Sequence, residues 1–241
     1  MPTKLAAGLF HRIGVRLRRT RVRGALEYLL FPGHADLSGE PFNGQRFRQT
    51  IFRDLAGACR FEAIMETGTF RGSTTLFMAT NAPGVPVYSA EADPVFYGFA
   101  ARRLRKLPTV KLSHGDSRAF LRNLPLGGQQ RTFFYLDAHW NEDLPLAEEA
   151  RIIFKRFANF VIMIDDFEVP GEPDYGFDHY GAGKRLSLCD FPFDREPGLS
   201  VYFPNRSAAL ESGSRRGCIV LASTAMEPMV NRVSSLRRGE G

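Results

Sequence analysis

Six acidic side chains in this 241-residue chain, Glu66, Glu91, Asp116, Asp137, Asp165 and Asp166, stand at or just behind the ends of short apolar runs. His139 follows the fourth of them by two positions. Carboxylates gathered in this way can hold hydroxyls, a cation or a cationic ligand. An imidazole with an ordinary pKa of about 6.5 can take a proton near neutrality. Glu66 also opens the stretch Glu66-Thr67-Gly68-Thr69-Phe70-Arg71-Gly72-Ser73, an acid running into two glycines and then a helical segment. Glycine lets such a turn adopt backbone angles other residues resist and lets a ligand approach the main chain. The helix start behind it presents unpaired N–H groups.

The elements that must position these groups are legible as alternating runs. Phe47, Ile51, Phe52, Leu55 and Ala58 recur at helical spacing ahead of the first strand, Phe61 to Met65. Strands then follow at Val85 to Ala90, Val110 to Ser113, Thr132 to Leu136 and Phe160 to Ile164. Helices are expected at Ser73 to Ala79, Asp93 to Leu107, Arg118 to Leu124 and Leu144 to Phe157, with Asp93-Pro94 a start signal. Continuous apolar strands alternating with helices predict a parallel sheet covered on both faces. Leu199 to Phe203 and Cys218 to Ala222 lack an intervening helix and suit an antiparallel pair. The predicted fold is therefore α/β, a doubly wound, seven-stranded, mostly parallel sheet with an antiparallel closing strand. In such sheets ligands bind beyond the carboxyl ends of the strands. Five consecutive strand ends carrying acids outweigh the bland explanation available for any one of them.

Composition bounds the rest. Hydrophobic content of 44% and charged content of 24% are those of a globular protein, and no run is long enough to span a membrane. Three scattered cysteines, Cys59, Cys189 and Cys218, argue against a disulfide scaffold or a zinc–thiolate site and fit a reducing, cytoplasmic setting. Lys4, Arg12, Arg16, Arg18, Arg19, Arg21 and Arg23 put +7 into residues 1–26, which hold no acid; the net charge of +6 leaves 6 − 7 = −1 for the remainder. Residues 1–35 thus form a basic extension, either solvated or a peripheral membrane anchor, ahead of one domain at residues 36–241. A near-neutral domain gives no reason to expect a nucleic-acid partner. Residues 167–197, rich in Gly, Pro and Asp, are too long for an ordinary connection. Within them Tyr175, Asp178, His179, Tyr180 and Lys184 are candidate acceptor-pocket residues.

The glycine pattern limits the cofactor. Gly68 and Gly72 stand four apart and no GxG occurs, so a dinucleotide fits poorly. Gly72-Ser73 lacks the lysine of a phosphate-binding P-loop. An acid ahead of the glycines would repel a pyrophosphate but suits a cofactor bearing a cationic amino acid. Here the chain resembles the class I S-adenosylmethionine-dependent methyltransferases, over roughly residues 42–222. Their acid-GxxxG motif is matched by Glu66, Gly68 and Gly72. The ribose-binding acid is matched by Glu91, 91 − 72 = 19 positions after Gly72, and the acid near adenine by Asp116. The resemblance implies a cofactor site at Glu66, Gly68, Thr69, Gly72, Ser73, Glu91, Asp116 and Ser117.

Tyr135-Leu136-Asp137-Ala138-His139-Trp140 and Met163-Ile164-Asp165-Asp166-Phe167 are in turn similar to the metal-dependent sugar O-methyltransferases of the macrocin and novobiocin type. That resemblance implies Mg²⁺ held by Asp137, Asp165 and Asp166. The family's strand-four motif reads Asp-Gly-Asp, and its second aspartate is the expected base; His139 stands in that place. Asp137 and His139 are thus the candidate catalytic residues. The acceptor is expected to be a hydroxylated small molecule such as a sugar or glycoside. A homo-oligomer is compatible with the sequence. Rival readings are a metal-independent methyltransferase working on a lipid or polysaccharide at a membrane, a nucleotide-binding oxidoreductase, and a non-catalytic cofactor-binding protein.

Overall fold

The computed structural model describes residues 20–31, 33, 40–138 and 144–239. Five parallel strands, β1 (Ala63–Thr67), β2 (Val87–Glu91), β3 (Val110–His114), β4 (Thr132–Leu136) and β5 (Phe160–Asp165), form its centre. Helices α1 (Arg21–Leu30) and α2 (Arg46–Cys59) precede them. Between them come α3 (Ser73–Asn81), α4 (Pro94–Leu104), α5 (Ser117–Arg122) and α6 (Leu146–Arg156). After the 167–197 segment the chain adds β6 (Leu199–Pro204), β7 (Cys218–Ser223), α7 (Glu227–Val230) and β8 (Leu236–Arg238).

The sheet order is β3-β2-β1-β4-β5-β7-β6-β8. Every residue of β1, β2, β4 and β5 is buried, as a sheet covered on both faces requires. Side-chain alternation sorts them into two cores. Ile64, Phe133, Val161 and Val220 pack with Ile51, Phe52 and Leu55 of α2 on one face. Met65, Phe134, Ile162 and Ile219 pack with Leu146, Ala150 and Ile153 of α6 on the other.

The sheet has eight strands where seven were expected. β8 pairs antiparallel with β6 at the edge, and its Leu-Arg-Arg sequence carries no apolar alternation to announce it. Charged residues on an edge strand also discourage further pairing. β7 inserts antiparallel between β5 and β6, placing Cys218 opposite Asp165. The start of β7 therefore lies at the carboxyl end of β5, where the acids are.

Part of the basic extension is built into the domain. α1 makes the most extensive element-to-element contact among the described residues, with α4. The approach is close because Gly24 and Gly98 face it: a Cβ on Gly24 would fall 1.8 Å from the carbonyl oxygen of Val95, and one on Gly98 1.9 Å from that of Arg21. Among the described residues no helix is long and apolar enough to cross a membrane.

Candidate functional site

The sheet changes direction of winding between β1 and β4, and beyond the carboxyl ends of these strands lies a cavity of about 590 Å³. Gly68, Phe70, Glu91, Asp93, Phe96, Asp137, Asp166, Asp178, Tyr180 and Arg216 are among its lining residues. This volume and location are those of a small-molecule site in an open α/β sheet. Gly68 has φ of 89°, and a Cβ there would sit 2.4 Å from the carbonyl oxygen of Asp137, so only glycine lets the β1 turn pass the end of β4. Among non-glycine residues held at positive φ, Asn43, Phe70 and Asp166 line this same cavity, a concentration of backbone strain typical of functional sites.

The first two acids have different jobs. Glu66 is fully buried behind the glycine turn, where its Oε2 accepts from Ser89 Oγ and Thr75 Oγ1. Its Oε1 is buried with no hydrogen-bond partner among the described residues. Burial raises its pKa from 4.5 to about 7, against the opposing pull of the two hydroxyls. Glu91 instead reaches the cavity. Its Oε2 accepts from the backbone N–H of Phe70 at 2.7 Å, and its Oε1 from that of Asp93 at 2.8 Å. Burial moves its pKa upward while these backbone donors moderate the shift. Phe70 and Phe96 pack at 4.4 Å between centroids beside it, giving the cavity an aromatic wall.

Asp137, Asp165 and Asp166 converge, with one ligand-capable atom from each within 4.8 Å of the others. Distance suits a divalent cation; the donor sets do not. Asp165 is fully buried and its acceptor positions are taken. Oδ1 faces Arg48 in an ion pair and accepts from the N–H of Asp166 at 2.8 Å. Oδ2 accepts from Tyr135 Oη at 2.6 Å and Asn43 Nδ2 at 3.0 Å. Arg48 is itself buried and also donates to the carbonyl of Gly217 at 2.9 Å. Asp166 accepts from Arg216 Nε at 2.7 Å, and the same guanidinium pairs with Asp178. A fixed cation thus already lies against Asp166, and Asp165 has no lone pair to offer. In this arrangement the three carboxylates do not fit a metal ion.

The structure brings Gly68, Glu91, Asp137 and Asp166 to one cavity and places other expected residues elsewhere. Thr69 bonds Ser89 behind the turn, Gly72 caps α3 with φ of 79°, and Ser73 accepts from Arg103 at 2.8 Å. Asp116 caps α5 through the N–H groups of Arg118 and Ala119 and is gripped by the Arg118 side chain, which holds its carboxyl below the usual range. It lines a separate recess of about 300 Å³ with Gly115 and Tyr88, and Ser117 is buried at the start of α5. His139 and Trp140 lie outside the described residues. Of the long segment, Asp178 and Tyr180 line the cavity, whereas Tyr175 is buried and bonds the carbonyl of Arg206. Lys184 borders a different recess, beside α6.

Sequence reasoning missed Asn43, Arg48 and Arg216. Arg48 did leave a signal: it precedes Ile51, Phe52 and Leu55 by three, four and seven positions and so falls on the apolar face of α2. Arg216 left none, because only the antiparallel insertion of β7 carries it to the end of β5.

No protein-family model matches the chain, and no curated protein matches it. Solved structures do. The O-methyltransferase from Bacillus cereus in complex with S-adenosylhomocysteine superposes with a TM-score of 0.58 at 16% identity, covering 90% of this chain and 97% of that one. A Staphylococcus aureus protein, provisionally described as a caffeoyl-CoA O-methyltransferase, gives 0.59 at 13% identity over 91% of this chain and 100% of that one. TomG, an O-methyltransferase of Streptomyces achromogenes involved in tomaymycin synthesis and solved with S-adenosylmethionine, gives 0.54 at 18% identity over 73% and 79%. The chain shares the fold of these O-methyltransferases.

Proposed function

We propose that this chain is an S-adenosylmethionine-dependent O-methyltransferase acting on a hydroxyl of a small molecule such as a sugar or glycoside. The observation that carries the reading is Glu91, an acid at the end of β2 fixed by two backbone N–H groups at the wall of a 590 Å³ cavity beside the glycine turn. Supporting the cofactor is Gly68 on the cavity wall, where the absence of a side chain lets the β1 turn pass the Asp137 carbonyl at positive φ. When bound, S-adenosylmethionine supplies a methyl group activated on a sulfonium. Gly68 would let it approach the main chain, Glu91 would accept from its ribose hydroxyls, and Phe70 and Phe96 would cover an apolar face. Thr69, Gly72 and Ser73 shape the turn, and Glu66 braces it through Thr75. Asp116, in its separate recess, and Ser117, buried at the start of α5, are assigned to the adenine end.

On the acceptor side Asn43, Asp178, Tyr180 and Ser214 give the cavity a polar wall suited to several hydroxyls. A hydroxyl that took this methyl group, whose bond to sulfur would break to leave a neutral thioether, would have to give up its proton. Asp137, at the end of β4, and His139, two residues on, are the proposed groups that receive it. The partner is thus a small hydroxylated molecule, and the methyltransferase domain is assigned to residues 36–241 with α1 of the preceding segment packed onto it.

A Mg²⁺-assisted reaction is the second reading, favoured by the 4.8 Å clustering of Asp137, Asp165 and Asp166. It requires Arg216 to leave Asp166. Calorimetric titration with S-adenosylmethionine and S-adenosylhomocysteine tests the main reading: micromolar binding is expected, and its absence for both ligands refutes it. Titration with Mg²⁺ alone decides the second. No heat is expected from the wild type, and saturable Mg²⁺ binding abolished by Asp166→Asn would establish the metal route.

A further inference from the structure

α1 is turned inside out relative to an ordinary surface helix. Val22, Leu26, Leu29 and Leu30 recur at the i, i+4, i+7, i+8 spacing of an apolar stripe, which normally faces the core. Here Val22 is 55% exposed, Leu29 50% and Leu30 55%. They are three of the four exposed large hydrophobic side chains among the described residues. The inward face is built from other groups. Gly24 abuts the α4 backbone, and Tyr28 meets Phe99 edge-on at 5.2 Å. Arg21 covers the Tyr97 ring and donates to His114 Nδ1 at 2.8 Å. Glu27 pairs with Arg71 of the glycine turn at 2.7 Å. The helix is thus anchored by its small and polar face, which leaves the apolar stripe pointing outward.

We propose that this stripe docks the protein on the surface of an anionic lipid bilayer. The choice of occupant follows from charge. The stripe continues a segment, residues 1–26, with seven basic side chains and no acid. A second copy of the chain would bring its own acid-free, basic segment with it, like charge to like charge. A nucleic acid would satisfy the arginines but offers nothing to the three exposed aliphatic side chains Val22, Leu29 and Leu30. An anionic bilayer offers headgroup charge and an apolar interior together, the combination that interfacial helices use. Through Glu27 and Arg71 the docked helix is tied to the turn at the cavity. The inference does not depend on the cofactor or the reaction.

Co-sedimentation of the full chain with vesicles tests it, comparing phosphatidylcholine alone with a mixture of phosphatidylcholine and phosphatidylglycerol. The double variant Leu29→Ser/Leu30→Ser serves as the probe, since both side chains are exposed and the thermal midpoint should stay unchanged. The wild type is expected to bind the anionic vesicles and not the zwitterionic ones, and the variant to lose at least tenfold in affinity. Failure of the wild type to bind anionic vesicles would overturn the proposal. So would equal binding by the variant, which would reduce the interaction to charge alone. A stripe-dependent dimer in light scattering would reassign the surface to self-association and overturn it as well.

Discussion

Replacing Glu66 with Gln removes a carboxyl that the fold prefers to keep protonated. Burial lifts its pKa from 4.5 to about 7, so between those values the folded protein holds a proton that the unfolded chain has released. Stability therefore falls as pH rises through this window, because the native state binds more protons than the unfolded one. The contribution is intact below the unfolded value and lost above the folded one. A difference of 7 − 4.5 = 2.5 units, at 1.36 kcal/mol per unit, amounts to about 3 kcal/mol. Glutamine keeps a carbonyl oxygen for Thr75 and Ser89 but cannot ionise. Its NH₂ meets no partner where Oε1 now lies, which costs about 1–3 kcal/mol at every pH. The offset and the slope are thus separable. Urea denaturation of wild type and Glu66→Gln at intervals from pH 4.5 to 8 should show the wild type losing about 3 kcal/mol relative to the variant. A difference that stays flat across the window would refute the argument, because it would mean that Glu66 is ionised in the fold like any solvated glutamate.

The buried Arg48–Asp165 pair supports a second prediction: Arg48→Met should cost about 3–5 kcal/mol in urea denaturation by stranding a buried carboxylate, and adding Asp165→Asn should recover part of that loss. Glu91→Ala should raise the dissociation constant for S-adenosylhomocysteine about tenfold or more in calorimetry, equivalent to about 1.4 kcal/mol, and an unchanged affinity would strip Glu91 of its assigned role. Gly68→Ala forces a Cβ against the Asp137 carbonyl at positive φ. It should lower stability by about 1–3 kcal/mol in the same denaturation assay and weaken cofactor binding with it.

Much of the fold was legible because its strands are apolar on both faces. The runs at Phe133-Phe134 and Val161-Ile162 have no polar alternation to confuse them with a half-exposed sheet. The glycine turn and Glu91 were legible because their constraints are local, one of backbone angle and one of spacing. What escaped was set by topology or by edges. β8 has three residues, two of them arginine, and is a strand only because β6 lies beside it. Arg216 is separated from Asp166 by 216 − 166 = 50 residues and reaches it only because β7 runs against β5. The reversed face of α1 escaped for a related reason. The helix itself lies in what the sequence presents as a basic extension, and the two glycines that set its facing, Gly24 and Gly98, lie far apart in the chain.

The acid-rich rim raises the question of how so many carboxylates are tolerated at one end of a sheet. Asp165 is a buried anion and would be costly alone, since desolvation of an unpaired charge amounts to several kcal/mol. It is held because α2 delivers Arg48 from the opposite layer and the turn at Asn43 adds a fourth donor. Asp166 and Asp178 share one guanidinium supplied by the chain just ahead of β7. Glu66 is accommodated differently, by a pKa that lets it carry a proton near neutrality. Glu91 and Asp137 both line the cavity, and Glu91 is held there by backbone N–H groups and not by a guanidinium. Arginines thus hold Asp165, Asp166 and Asp178 in the rim, while the proposed cofactor contact, Glu91, is fixed by the main chain beside the proposed proton acceptor, Asp137.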